Sequence, residues 1–380
     1  MYTLHINELS ETEFLNQYWQ KKPLLIKAGF KDFADPLDAE ELAGLAMEES
    51  IESRMVTNHD GWQCENGPFE DFSVLANDHA TLLVQAVDHW HPEAAQLVEP
   101  FRFIPNWRID DLMVSYSTPG GGVGPHLDQY DVFIIQGSGK RHWRVGNVDK
   151  NIKQFSADKA LLQVGEFEAV IDVVLEPGDI LYIPPSAPHE GYAVEPAINY
   201  SVGFRAPNQT DLLTAFADHL IDLDLGQARY SDADLNIQQS RGELTLPDIT
   251  KLRHLMIDAI KDDNTFLRFI AEQLSEPKHD KDLLPLEPKL EPNELADFLR
   301  EYPVIYKAGG LRSIYIAQKD SVLLAVEGHS FNLPSKHLSI IAALCDQQYQ
   351  YTEQLLAHSD CLLFRQTLST LINEGYWYAD

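Results

Sequence analysis

Cysteine is scarce in this 380-residue chain: Cys64, Cys345 and Cys361 are far apart, odd in number and outside any CxxC pair. That pattern excludes a disulfide framework and a thiolate zinc site, and it fits a reducing compartment. Long apolar runs are also lacking. The longest candidates, such as Ser321 to Val326, are strand-sized, short of the roughly 18 to 20 residues a membrane helix needs. The opening residues hold no basic region followed by an apolar stretch, so the chain is expected to stay in the cytoplasm, with no membrane partner. Basic residues are few as well, with 29 Lys and Arg against 59 Asp and Glu, a net charge of −30. Such a surface repels phosphate backbones, which excludes direct nucleic-acid binding, and it suits a basic protein partner. The acid is uneven: residues 1–100 hold 19 acidic and 5 basic side chains, residues 101–205 hold 13 and 9.

What is present is the composition of a folded protein, 44% hydrophobic and 23% charged, long enough for two or three domains of roughly 150 residues. Ser10-Glu11-Thr12-Glu13 matches a capping box, and Phe14, Leu15, Tyr18 and Trp19 follow at helical spacing until Pro23; this predicts an opening helix. Leu24 to Ile26 reads as a strand and Leu37 to Met47 as a second helix. From Ile109 the chain turns to short runs rich in Val, Ile, Tyr and Phe, predicting strands at 109–118, 130–137, 141–146, 168–174, 179–183, 190–194 and 197–205. Their short, even spacing points to a sandwich or small barrel rather than βαβ units. After Pro207 the apolar period becomes helical, through Leu212, Phe216 and Leu220 and again from Leu252 to Ile270. Residues 277–292 hold Pro277, Pro285, Pro288 and Pro292 among charges and read as a linker. A C-terminal module at 293–380 mixes helices at 294–301, 336–346, 351–357 and 361–374 with strands near 304–307, 312–317 and 322–326.

Fourteen histidines make metal ligands the first question. His126-Leu127-Asp128 places two ligand types at i and i+2, the same face of a strand, after a glycine-rich turn; His189 follows 61 positions after Asp128, beyond the turn Pro184 to Pro188. His, carboxylate and His make the facial triad that suits Fe(II) and leaves positions open for a co-substrate and dioxygen. The HExxH pattern of zinc hydrolases is absent. Trp143 and Phe133-Ile134-Ile135 are expected in the barrel core, and His89-Trp90-His91 at a helix end rather than in a second metal site.

The stretch from Gly120 through Gly124-Pro125-His126-Leu127-Asp128 to Phe133, with Gly139-Lys140-Arg141-His142-Trp143, Pro177-Gly178-Asp179 and His189-Glu190-Gly191, resembles the JmjC-type cupin oxygenases. With Tyr18 to Pro23, Trp107 to Met113 and Gly375-Tyr376-Trp377, the resemblance runs along the whole chain and narrows to the bacterial ribosomal oxygenases that hydroxylate an arginine of large-subunit ribosomal protein sixteen. It implies an α+β fold: a double-stranded β-helix catalytic domain with N-terminal α/β elements at 1–206, a helical dimerisation segment at 207–276, and a winged-helix-like domain after the linker. It implies Fe(II), with 2-oxoglutarate and dioxygen as co-substrates, a basic ribosomal protein of the large subunit as substrate, reaction of the arginine 3-hydroxylase type, and a homodimer.

On that resemblance His126, Asp128 and His189 hold the metal and form the catalytic set, while Arg141 and Ser115 hold the distal carboxylate of 2-oxoglutarate. A carboxylate taken out of water needs such a cation and hydroxyl. Alternation puts Asp111, Met113, Ser115 and Ser117 on one face of strand 109–118, making Asp111 and Met113 candidates for the charged head and apolar stem of a substrate arginine. Two other classes stay open: a zinc or manganese cupin, an isomerase or small-molecule dioxygenase working without 2-oxoglutarate, and a non-catalytic binding module.

Overall fold

The computed structural model describes residues 2–158, 161–237 and 240–379. The opening helix α1 (Glu11–Gln17) carries the expected capping box, with the Ser10 hydroxyl accepting from the Glu13 amide and Glu13 reaching back to the Ser10 N–H. After β1 (Leu24–Ile26), helix α2 (Ala39–Leu45) starts later than the apolar pattern suggested, because the Asp38 carboxylate caps it by accepting from the amides of Glu40 and Glu41, and it closes in a turn at Ala46, whose N–H bonds the Gly44 and Leu42 carbonyls. Three strands follow where the sequence reading expected none: β2 (Ser53–Thr57), β3 (Gln63–Asn66) and β4 (Ala80–Val84). β2 carries Arg54 in its run and β3 is a polar, mostly exposed edge, so neither shows the apolar texture that marks later strands. Short helices α3 (Val87–Trp90) and α4 (Pro92–Ala95) come next, His91 capping the second through its ring nitrogen; the His89-Trp90-His91 run is indeed a helix end.

The predicted strands then appear as β5 (Ile109–Ser117), β6 (Val132–Gln136), β7 (Arg141–Gly146), β10 (Ala169–Leu175), β11 (Ile180–Ile183), β12 (His189–Ala193) and β13 (Ala197–Phe204), with an additional hairpin β8 (Gln154–Asp158) and β9 (Leu161–Val164). They form an antiparallel eight-stranded sheet, β1-β11-β6-β13-β5-β4-β2-β3, and a three-stranded sheet, β10-β7-β12. β6 is buried on both faces. Phe133 and Ile135 join Phe14, Phe101, Tyr182 and Phe204 beneath the helices, while Val132 and Ile134 meet Trp143, Val145 and Leu181 between the sheets. A cavity of about 460 Å³ opens between the two sheets.

Helices α5 (Gln209–Asp222), α6 (Leu246–Ile260) and α7 (Asp263–Ser275) follow. α6 buries none of its residues, whereas α7 lays Ala271 on the C-terminal sheet beside Leu323 and Ala325. The proline-rich segment after it has no helix or strand, yet Leu283, Leu286 and Leu290 pack into the C-terminal core. That module comprises α8 (Leu295–Glu301), β14 (Val304–Lys307), β15 (Ser313–Ala317), β16 (Ser321–Val326), β17 (His329–Pro334), α9 (Leu338–Asp346), β18 (Tyr349–Tyr351), α10 (Thr352–Leu356), α11 (Leu362–Asn373) and β19 (Trp377–Tyr378). Among the described residues no helix is long and apolar enough to cross a membrane.

Candidate metal centre

His126, Asp128 and His189 converge at the cavity, with one ligand atom from each lying within 4.8 Å of the others. The spacing argument set His126 and Asp128 on a strand; instead they lie in the β5–β6 connection, where His126 makes a lone antiparallel bridge to His189, N to O at 2.9 and 2.8 Å. Gly124 breaks any continuous ladder there, at φ +80°. Gly122 passes so close to β12 that a Cβ would lie 2.3 Å from the Gly191 carbonyl. Asp128 is tied to the proline-rich turn by its carbonyl, which accepts from the Ser186 amide at 2.8 Å. Three residues on, Asp131 is fully buried and accepts from the Tyr182 hydroxyl, the Gln20 amide and Arg108, fixing the end of the ligand loop.

Tautomers follow from these contacts. His126 Nδ1 faces the Gly124 carbonyl and His189 Nδ1 faces the Ala187 carbonyl, both at 2.9 Å. A carbonyl only accepts, so each Nδ1 carries the proton and each Nε2 presents its lone pair, the arrangement metal-ligating histidines adopt. Burial, with the neighbouring His126 adding to it, pushes the His189 imidazole down to about 4, so it is neutral and competent as a ligand. Two imidazoles and one carboxylate fit a divalent ion such as Fe(II) and occupy one side of it.

Across the cavity, Arg141 opens β7 and is buried, 4% exposed. Its Nη1 donates to Ser115 Oγ at 3.3 Å and to Asn199 Oδ1 at 3.2 Å, and its guanidinium carbon lies 5.4 Å from the Trp143 ring centroid. These partners and the Gly191 carbonyl, 3.5 Å from Nη2, are neutral, and among the described residues Nε has none. Burial alone lowers the guanidinium to about 10. A buried cation held only by neutral groups beside a cavity calls for an anion from outside. Trp143 therefore does more than fill the core: its ring also walls this pocket.

Comparisons agree with this geometry. Residues 96–212 match the JmjC domain model and residues 256–378 the ROXA-like winged helix model. The ribosomal protein uL16 3-hydroxylase of Escherichia coli (strain K12) is 45% identical over 97% of this chain and 98% of its own length. The chain belongs to the JmjC-type ribosomal oxygenases. A probable ribosomal oxygenase of Haemophilus influenzae is 34% identical, covering 76% of this chain and 74% of that protein. Among solved structures, the X-ray structure of E. coli YcfD matches with a TM-score of 0.91 at 45% identity over the whole of both chains. A structure of that ribosomal oxygenase in complex with cobalt and 2-oxoglutarate matches at 0.87 and 44%, over 100% of this chain and 99% of the other. The fold is thus a JmjC cupin barrel joined to a ROXA-like winged helix.

In this ribosomal oxygenase β5 carries its polar face into the cavity as alternation predicts, with Asp111, Met113 and Ser115 lining it from the mouth inward. Ser117 is buried but bonds Thr81, 3.0 Å away. Asp111 is 8% exposed. Its Oδ2 accepts from the Ala86 amide at 2.9 Å and, with the Gln85 amide oriented to satisfy both its atoms, from Gln85 at 3.0 Å; Gln85 in turn accepts from Arg54 at 3.2 Å. Burial, then the charges of Asp88 and Asp110, raise the Asp111 carboxyl to about 7. Sequence reasoning missed Asn199 and Gln136, which bond each other at 2.9 Å and seat Arg141. The signal was there: Asn199, Ser201 and Gly203 alternate through the otherwise apolar β13. Arg54 and Gln85 offered none, since neither lies in a motif.

Proposed function

We propose that this chain is an Fe(II)- and 2-oxoglutarate-dependent hydroxylase that adds one oxygen to an arginine side chain of large-subunit ribosomal protein uL16, in the cytoplasm and as a homodimer. The observation that carries the reading is the buried Arg141, whose partners among the described residues are all neutral, facing the two-histidine, one-carboxylate set across one cavity. A zinc or manganese cupin that works without a dicarboxylate has no use for such a guanidinium.

His126, Asp128 and His189 would hold the iron, whose chemistry when bound is oxidative decarboxylation of 2-oxoglutarate by dioxygen coupled to C–H hydroxylation. The chain's own part is placement. Arg141 and Ser115 orient 2-oxoglutarate by its distal carboxylate, with Asn199 and Gln136 keeping the guanidinium in position. Asp111 takes the substrate's guanidinium and Met113 lies along its stem. Apolar walls, including Val123, Ile134 and Trp143, keep water from the reacting carbon.

The finer parts have their own support. A strongly acidic chain suits a Lys- and Arg-rich ribosomal protein. Leu246 and Met256 of α6 and Ile221 of α5 are 78, 74 and 73% exposed, an apolar surface that a second copy would cover. Mass spectrometry of a uL16 fragment, incubated with protein, Fe(II) and 2-oxoglutarate, tests the reaction. A gain of one oxygen on an arginine, absent with His126→Ala, is the expected result. Succinate formed without a gain keeps the oxygenase and discards the substrate; no turnover with Fe(II) bound overturns the reading.

A further inference from the structure

The mouth of the cavity is not built by the barrel alone. Lys278 and His279, from the segment after α7, line it beside Asp111 and Glu52, and the exposed Glu52 and Lys278 side chains mark this as its outer end. The His279 ring lies between two carboxylates, Nδ1 3.7 Å from Glu52 Oε2 and Nε2 3.9 Å from Asp111 Oδ2, and its edge meets His89 at 6.0 Å between centroids. Its position is fixed from both sides. Arg205 donates to the carbonyls of Leu274 and Glu276 at 3.2 and 2.9 Å, His89 Nδ1 bonds the Asp280 carbonyl at 3.1 Å, and the enclosed Lys281–Glu327 pair closes at 2.8 Å. Lys278 is committed to Asp110, which leaves Asp111 and Glu52 facing the imidazole.

A planar ring with nitrogens toward two carboxylates marks a place that suits one particular cation. A guanidinium stacked on the imidazole presents donors along its edges to both carboxylates, whereas an ammonium is a compact charge with no plane to stack. We propose that Glu52 and His279 complete the guanidinium site that Asp111 begins, with His279 as the residue that selects arginine over lysine. This rests on the reading of the cavity as an arginine-hydroxylase site.

The test uses the full-length protein, a uL16 peptide containing the target arginine, and the same peptide with lysine at that position as a competing inhibitor. In His279→Ala and Glu52→Gln the KM for the arginine peptide is expected to rise about tenfold while kcat falls less than twofold, the size of a lost stacking or charge contact. His279→Phe, which keeps a stacking surface, should recover most of the loss in His279→Ala. The inhibition constant of the lysine peptide should move less than twofold in His279→Ala. A purely structural role would lower kcat or weaken both peptides equally, with Phe no better than Ala, and either result overturns the proposal. Wild-type protein that consumes 2-oxoglutarate but adds no oxygen to the arginine peptide removes the arginine reading and this proposal with it.

Discussion

Arg141 and Asp111 are two buried charges whose costs make sense only through ligands. Arg141 has neutral partners alone among the described residues, so Arg141→Met should trade function for stability. The 2-oxoglutarate KM is expected to rise by about a hundredfold, for a lost charge-assisted pair of roughly 2–3 kcal/mol. Without co-substrate the variant should unfold at higher urea than wild type, because a buried cation has been replaced by a fitting apolar chain; titrating 2-oxoglutarate in both assays separates the effects. Asp111 behaves in the opposite sense. With its carboxyl raised to about 7, the folded chain holds a proton between pH 4 and 7 that the unfolded chain releases, so this contribution to stability is full below about 4 and lost as pH rises through about 7. Asp111→Asn should flatten that part of the stability profile and become the more stable protein at pH 8. In wild type, the arginine-peptide KM should fall roughly tenfold from pH 6 to 8 as the carboxylate ionises; a KM flat with pH would remove Asp111 from the guanidinium site.

At the level of elements, α6 makes the sharpest case, for a helix that leaves Leu246, Leu252 and Met256 exposed and none of its residues fully buried owes that apolar surface to something else. Met256→Glu with Leu252→Glu should shift the protein from dimer to monomer by light scattering while its far-ultraviolet dichroism stays the same; an unchanged mass would place the dimer interface elsewhere. The elements readable in the sequence were those with local signals: the Ser10 capping box, the continuous apolar run of β6, and the polar residues spaced through the apolar β5 and β13. β2, β3 and β17 were illegible, because polar or exposed residues interrupt them and pairing with a neighbour supplies what the local pattern lacks. The ligand set was visible as residue types, but its backbone was not. His126, in the β5–β6 connection, meets His189 at the start of β12 through a single bridge rather than along a strand of its own, and only the tertiary contact reveals that. Asn199 was legible by alternation, while His279 stands in a proline-rich stretch whose only local message is that it is neither helix nor strand.

Across the whole molecule, one carboxylate joins the parts. Asp110, on β5 beside Asp111, accepts from Arg205 at the end of β13, from Lys278 after α7 and from Arg312 of the C-terminal module, the last at 2.9 Å. Burial pushes its carboxyl up, but the hydrogen bond from Lys278 and the charges of Arg312 and Lys278 outweigh that and hold it below the usual range. Its stabilising contribution is therefore present above about pH 4 and lost as the pH falls through the lowered value, opposite in slope to that of Asp111. Asp110→Asn removes the one negative charge that three cations share, and the expected loss is about 3 kcal/mol near neutral pH, read from denaturant midpoints and shrinking toward pH 3. The same change loosens Lys278 and with it the cavity mouth, while Arg141 and Ser115 lie at the other end. The arginine-peptide KM should accordingly rise severalfold at temperatures where the variant is fully folded, with the 2-oxoglutarate KM held within twofold. Equal movement of both constants would mean that the barrel itself deforms and that the C-terminal module does not shape the substrate entrance.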